Sequence, residues 1–212
     1  KGLIQYHPHI NLSSKLILED LVKYKYLTNA YDEIKQDMKD FTNVTELQLS
    51  DRIICHSKFT EESVLKAGIP KEKIITFPYG INTSHINLKI KNASIKPKKR
   101  CSFLFLGQGI HRKGLHHLLL AWKKANLKFS NLNIVSRCID PQIRINATIS
   151  DNINFLEVID DKKINIFQKN DVFVMPSIIE GFGYVYLEAF SNGLFCIGSK
   201  NSGLRDISCH ET

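Results

Sequence analysis

The sequence predicts an α/β fold with parallel strands covered by helices, and three observations carry that expectation. Short apolar runs alternate with amphipathic helical patterns along most of the chain, which points to βα units rather than a β-sandwich. Residues 101–106 (CSFLFL) are apolar almost throughout, as befits a strand buried on both faces. No internal repeat interrupts the alternation, so a doubly wound sheet is expected in place of a solenoid.

Each element follows from its residues. Residues 3–6 form an apolar run, read as a strand that delivers His7, Pro8 and His9 to its carboxyl end. Two helical patterns come next, at about 14–28 and 31–47. In the second, Ile34, Met38, Phe41 and Leu47 recur at roughly the three-to-four spacing of one apolar face. RIIC at 52–55 is a short strand, Ser57 offers an N-cap, and a helix runs to Ala67 before Gly68 and Pro70 stop it. KIITF at 73–77 is a further strand, closed by Pro78, Tyr79 and Gly80. From 81 to 100 the periodicity fades into Asn, Ser, Lys and Pro, the composition of a linker or long surface connection. After CSFLFL the expected elements are a helix at 115–125, strands at 132–136, 153–155 and 172–175, and a short helix at 162–168. A helix at 184–191 and a strand at 194–197 complete the series.

Composition narrows the class. A chain of 212 residues with 43% hydrophobic and 24% charged residues can build a sizeable core and is neither collagen-like, disordered nor coiled-coil. No apolar run approaches the ~20 residues that span a bilayer, and KGLIQYHPHI is not a basic, apolar and cleavable leader. A cytoplasmic location is therefore expected, with contact at the inner membrane face left open. Five widely spaced cysteines, mostly in apolar surroundings, fit buried thiols better than a disulfide framework or a zinc site. The net charge of +8 is uneven: residues 91–212 carry 17 basic and 10 acidic residues, against 12 and 11 in 1–90. Such a field favours phosphorylated ligands, nucleic acid or an anionic membrane face without choosing among them.

Two constellations could carry chemistry. In GQGIHRKG at 107–114, Gly107, Gly109 and Gly114 permit tight turns, and Arg112 with Lys113 stands near the start of a helix. A helix N-terminus with two cations suits a diphosphate; an ordinary solvated turn fits the same residues, because the spacing is neither a P-loop nor GxGxxG. In the second, Glu180 lies on a loop where Gly181 and Gly183 bracket Phe182, and Glu188 follows in the next helix beside Ala189 and Phe190, expected to face the core. Two carboxylates on neighbouring elements could accept from separate hydroxyls of one polyhydroxylated ligand, while turn amides face its anionic part. The plainer alternative makes both acids solvated surface groups.

FLFLGQGIHRKGLHHLLLAWKKA at 103–125, EGFGYVYLE at 180–188 and NSGLRD at 201–206 resemble the carboxyl-terminal nucleotide-binding domain of retaining glycosyltransferase family 4, the glycosyl transferases group 1. The most specific feature is the E-x7-E pair, Glu180 and Glu188. DRIICHSKFTEESVLKAGIPKEKIITFPYGIN at 51–82 resembles the end of the family's first domain, and KGLIQYH at 1–7 resembles its strand that presents a histidine. The resemblance is weakest at 11–48 and 138–151. It implies a GT-B fold, two Rossmann-like domains facing a cleft, both incomplete here: 1–85 as the end of the first, 86–100 as the linker, 101–212 as the truncated nucleotide-sugar domain.

The resemblance also implies roles. Lys113 beside Gly114 would contact the donor diphosphate, helped by Arg112, since Gln108 stands where several relatives place an arginine. Glu180 would face the donor sugar, Phe182 and Gly183 would offer backbone N–H groups, and Glu188 would accept from the ribose. Gly107 and Gly181 complete this donor-binding set. His7, ahead of His9, is the candidate beside the reacting carbon, with Glu180, Arg112 and Lys113. The implied activity moves a hexose from a nucleoside diphosphate sugar to a hydroxyl of a saccharide or lipid-linked acceptor, with retention, in cell-surface polysaccharide or lipopolysaccharide synthesis. No cofactor and no obligatory metal is expected, there being no DxD-like cluster. Rival readings are a non-enzymatic phosphate- or nucleic-acid-binding α/β module, favoured by KPKKR at 96–100, and a GT-B-shaped epimerase or phosphorylase. Nucleic acid is not expected as a partner, because no aromatics interleave with that basic run.

Overall fold

The structure, a computed structural model, describes residues 1–30, 32, 34, 43–82, 100–146, 152–156 and 163–208. Among these, the strands form two parallel sheets, one of three strands and one of five. Two compact units result: Lys1–Gly80 with Ser177–Gly183 and Ser199–Thr212, and Ile81–Pro176 with Tyr184–Gly198. The expected domain at 101–212 is thus divided, because two short stretches of it pack with the first unit. The expected linker at 86–100 lies outside the described residues except for Arg100.

In the first unit, β1 (Gly2–Gln5), β2 (Arg52–Cys55) and β3 (Ile74–Thr76) pair in that order. Ile4, Ile54 and Ile75 stand in one row across the sheet. One face is buried: Leu47, Ile53, Cys55, Val64, Ile69 and Ile74 form a core against which Leu3 packs. Burial pushes the Cys55 thiol up to about 12, so it serves here as a small apolar side chain. Helix α1 (Ile10–Leu21) starts earlier and ends sooner than the expected 14–28. Its N-cap is His9, whose Nδ1 accepts from the Asn11 N–H at 3.3 Å, and histidine is not among the usual capping residues. Of the expected 31–47 helix, Ile34 and Leu47 are buried and α2 covers Asn43–Leu49; Met38 and Phe41 lie outside the described residues.

Helix α3 (Lys58–Lys66) has Ser57 as its N-cap, accepting from the Thr60 N–H at 3.0 Å. Gly68 ends it at φ 88°, a left-handed conformation that suits glycine. Glu61 ties α3 to its surroundings, accepting from the Lys71 ammonium and the Thr76 hydroxyl.

The second unit holds β4 (Ser102–Leu106), α4 (Leu115–Ala125), β5 (Asn131–Val135), α5 (Pro141–Asn146) and β6 (Ile153–Leu156). It continues through α6 (Lys163–Gln168), β7 (Val172–Met175), α7 (Tyr184–Ser191) and β8 (Phe195–Gly198). The strand order is β6-β5-β4-β7-β8. From β4 the chain steps outward through β5 to β6, then returns to β7 on the other side. That reversal is the topological switch point at which open α/β sheets form ligand crevices, outside the carboxyl ends of the strands. Leu104, Phe105, Leu132, Ile134, Val135 and Phe173 are fully buried in this sheet. Trp122 stands edge-on to Phe103 and donates to the Asn152 side chain at 3.1 Å, so the one tryptophan keeps a hydrogen bond for its N–H.

Short α5 was not expected, although Asp140 followed by Pro141 is a helix-start signal; the Asp140 side chain accepts from the Gln142 N–H at 2.8 Å. The helix α8 (Leu204–Ile207) belongs to the first unit. Among the thiols expected to be buried, Cys55 is buried, Cys101 and Cys196 are half-buried, Cys138 is exposed, and Cys209 lies outside the described residues. Among the described residues, no helix is long and apolar enough to cross a membrane.

Burial raises the Glu61 carboxyl, but the hydrogen bonds from Lys71 and Thr76 outweigh it and leave the group below the usual carboxylate range. A depressed carboxyl stabilises the fold above its unfolded pKa, and the contribution is lost as pH falls through the folded value. Glu61→Gln should therefore lower stability at neutral pH by at most about 1 kcal/mol, the scale of a pair whose lysine is exposed. Urea unfolding at pH 7 and pH 3 should show that difference shrinking on acidification; a constant difference would refute the ionic origin.

Candidate functional site

The loop from Ser177 to Gly183 leaves β7 and packs within the first unit. No side chain fits at position 181: a Cβ there would stand 2.1 Å from the Tyr6 carbonyl oxygen and 3.5 Å from the His7 Cα. The strand end that carries His7 thus lies directly against the Glu180–Gly183 turn. The Gly181 carbonyl accepts from the buried Ser57 hydroxyl at 2.7 Å. Glu180 is only 6% exposed, and its N–H donates to the Asn201 carbonyl at 2.9 Å. Asn201 in turn donates from its side chain to the Ile178 carbonyl at 3.1 Å. A solvated loop acid, the plainer alternative for Glu180, does not describe this residue.

The segment 199–206 braces the loop from a second direction. At Gly203 a Cβ would lie 2.6 Å from the Phe182 carbonyl oxygen, so that glycine too is required by close backbone approach. The Asp206 carboxylate accepts from the Lys58 N–H at 2.6 Å, at the positive end of α3. Arg205 pairs with Glu62 at 2.8 Å. NSGLRD therefore holds α8 to α3 and the loop to α8, a structural task that its motif did not reveal.

Phe182 is buried, edge-on to Tyr79 with ring centres 5.2 Å apart. Tyr79 stacks on His56 at 3.8 Å, and the His56 Nδ1 hydrogen-bonds the Phe77 carbonyl at 2.8 Å. Gly183, at φ 78°, turns the chain toward α7. His7 is exposed, whereas His9 is buried, caps α1, and has its imidazole pKa lowered by burial. The geometry thus separates the two histidines: His9 is built into a helix start, and His7 lies beside Gly181.

In the second unit, β4 ends at the switch point and leads into 107–114. Gly107 is not crowded, a Cβ there being 4.0 Å from the Met175 sulfur, whereas at Gly109 it would be 2.8 Å from Ile139. His111, Arg112 and Lys113 form a single 3-10 turn, and Gly114, at φ 71°, is at once its end and the N-cap of α4. Gly114 makes no side-chain cap bond to α4, because glycine has no side chain to offer the first-turn N–H groups. Arg112 and Lys113 are half-buried. His111 and His116, both buried, stack with ring centres 4.8 Å apart, a pair that the sequence pattern did not single out.

On α7 the buried residues are Tyr186 and Ala189. The Tyr186 hydroxyl donates to the Met175 carbonyl at 2.7 Å, fixing the helix on β7. Phe190, expected to face the core, is 38% exposed, because it sits about 100° around the helix from Ala189. Glu188 is half-buried.

Residues 87–212, more than half of the chain, match the family model "Glycosyl transferases group 1". An uncharacterised 41.2 kDa protein in the cps region of Klebsiella pneumoniae is 27% identical over 163 residues, 74% of this chain and 45% of that protein. The chain thus spans less than half the length of the curated relatives it matches. Among solved structures, sucrose-phosphate synthase of Thermosynechococcus elongatus is similar with a TM-score of 0.62 at 24% identity, over 77% of this chain and 44% of that one. Anabaena HepE in complex with UDP and glucose is similar with a TM-score of 0.59 at 17% identity, over 81% and 52%. At such identities the structures speak for the fold, which is that of the GT-B glycosyltransferases. The parallel sheets, the switch-point loop after β4 and the match from residue 87 onward agree: this chain belongs to the glycosyl transferases group 1 family.

Proposed function

We propose that the protein transfers a hexosyl unit from a nucleoside diphosphate sugar to an acceptor hydroxyl, with retention, in the assembly of a cell-surface polysaccharide or lipopolysaccharide. The observation that carries this reading is Glu180: an acid only 6% exposed, in a turn whose glycine tolerates no side chain and lies against the strand end bearing His7. A carboxylate held in so fixed a place is oriented to accept from the hydroxyls of a sugar. Family membership supports a transferase. The relative's place in a cps region and the UDP and glucose bound by HepE support the choice of substrate class.

On this reading each residue has one task. Lys113 and Arg112, with the first-turn N–H groups of α4, stabilise the negative charge that grows on the diphosphate as the glycosidic bond breaks. Glu188 accepts from the ribose hydroxyls and Glu180 from the transferred sugar. Phe182 and Gly183 present backbone N–H groups, with Gly107 and Gly181 leaving room for the ligand and the chain. His7 stands at the sugar. The two glutamates serve different parts of the donor, so neither is a glycosidase-type nucleophile paired across one carbon. The acceptor hydroxyl then attacks from the face that the diphosphate leaves. A saccharide or lipid-linked acceptor, and work at the inner face of the membrane, belong to the same proposal.

Lys113→Ala should weaken UDP, GDP or ADP binding, whichever the wild type prefers, and more at low salt than at high salt, because screening already weakens a charge-assisted contact. Arg112→Ala should act in the same direction. Calorimetric titrations that leave both variants at wild-type affinity would remove the diphosphate role.

The two glutamates should separate. Glu188→Gln should weaken the free nucleoside diphosphate and the donor together, since both carry the ribose. Glu180→Gln should leave the free diphosphate within about twofold while lowering transfer. Each loss should be roughly 1.5 to 3 kcal/mol, a ten- to hundredfold effect. Diphosphate release alongside nucleotide titration reads both; equal losses for free diphosphate in the two variants would break the division of roles.

A further inference from the structure

Ser57 makes contacts that its place as a helix cap does not require. Its hydroxyl is fully buried and has three oxygen or nitrogen neighbours at hydrogen-bond distance: the Thr60 N–H at 3.0 Å, the Thr60 hydroxyl at 3.0 Å and the Gly181 carbonyl at 2.7 Å. A serine hydroxyl has one proton and two lone pairs. The Thr60 N–H can only donate and the Gly181 carbonyl can only accept. The single proton of Ser57 therefore goes to Gly181, and its lone pairs take the Thr60 N–H and the Thr60 hydroxyl. That arrangement uses the whole capacity of the group. It links the first turn of α3 to the residue that follows Glu180.

The link is not redundant with the other restraints on the turn. Asn201 holds the backbone at Glu180 and Gly203 packs on Phe182, whereas the carbonyl of Gly181 takes its hydrogen bond from Ser57. Rotation of the Gly181–Phe182 peptide would swing that carbonyl away and turn the Phe182 N–H with it, since the peptide unit is planar. Phe182 N–H is one of the groups assigned to the donor.

We propose that Ser57 is a positioning residue for sugar transfer: its proton fixes the Gly181–Phe182 peptide, and through it the Glu180–Gly183 turn, in the orientation that receives the donor sugar. The inference rests on the transferase reading above for its catalytic part, but the restraint on the turn is independent of any activity.

Ser57→Gly and Ser57→Ala test it together. Both variants lose the proton to Gly181 and the acceptor for the Thr60 N–H, but glycine is tolerated at an N-cap nearly as well as serine whereas alanine is not, so only alanine also weakens the helix start substantially. Hydrogen exchange of the protein, followed by mass spectrometry, should accelerate at least fivefold in peptides covering 177–183 in both variants. Peptides covering β5, residues 131–135, should stay within twofold of wild type. Donor turnover should fall about tenfold in kcat in both variants, with the affinity for free nucleoside diphosphate within twofold. Unchanged exchange at 177–183, or acceleration shared by β5, would overturn the restraint. Faster exchange at 177–183 with full turnover would overturn the positioning role alone. A wild type that turns over none of the common nucleoside diphosphate hexoses would refute the transferase reading and the catalytic part with it, while the exchange result would still decide the restraint.

Discussion

The first unit depends on a contact between two backbones, the turn at Gly181 lying on the carboxyl end of β1. A Cβ at 181 would sit 2.1 Å from the Tyr6 carbonyl oxygen, far inside any van der Waals distance, so the approach exists only because glycine has no side chain. Everything that meets there is ordered by it. β1 carries His7, the turn carries Glu180, and Gly203 closes on Phe182 by the same device at 2.6 Å. Two glycines thus replace side-chain packing with backbone contact, and neighbouring polar groups take up the backbone N–H and carbonyl groups that such contact would otherwise strand.

Those polar groups come mainly from α3 and the 199–206 segment. Ser57 binds the Gly181 carbonyl, Asn201 the Glu180 N–H, and Asp206 the Lys58 N–H. The bonds of Ser57 and Asp206 and one ion pair, Arg205 with Glu62, join segments more than a hundred residues apart in sequence. The bonds of Ser57 and Asn201 are neutral and modest, about 0.5 to 1.5 kcal/mol each, and the one to the Asp206 carboxylate is stronger. Their value lies in direction: they fix peptide orientations, on which the donor-binding role proposed for this turn depends.

The second unit is organised by strand order rather than by close contact. With β4 central and the chain reversing direction beside it, the loop after β4 emerges at the switch point without any special residue being needed. Gly114 then does two things at φ 71°, ending the 3-10 turn of His111–Lys113 and starting α4 without a capping side chain. The basic residues are thereby placed in the last residues before a helix N-terminus. Tyr186 and Ala189 secure α7 against the sheet and leave Glu188 on a half-buried flank.

Local pattern was enough for much of this. β2, β7, α4 and α7 have the limits that their residues indicate, since each has a clear apolar run or period. Ser57 as an N-cap, the glycines of both loops and the E-x7-E pair were likewise readable. α1 was mis-bounded because its cap is a histidine, and α8 was missed because four residues hold no period. Burial of Glu180, the clash that excludes a side chain at 181, the second hydrogen bond of Ser57 and the bracing role of Asp206 and Arg205 were not readable at all. Each of these joins residues 124 to 175 positions apart or depends on what surrounds a side chain, and sequence spacing encodes neighbours along one element only. The sequence by itself determined most of the elements, the family and the residue types proposed for donor chemistry. Tertiary structure decided which acid is buried, which histidine is free of a capping duty and which glycines are obligatory, because those depend on contacts between segments distant in the chain.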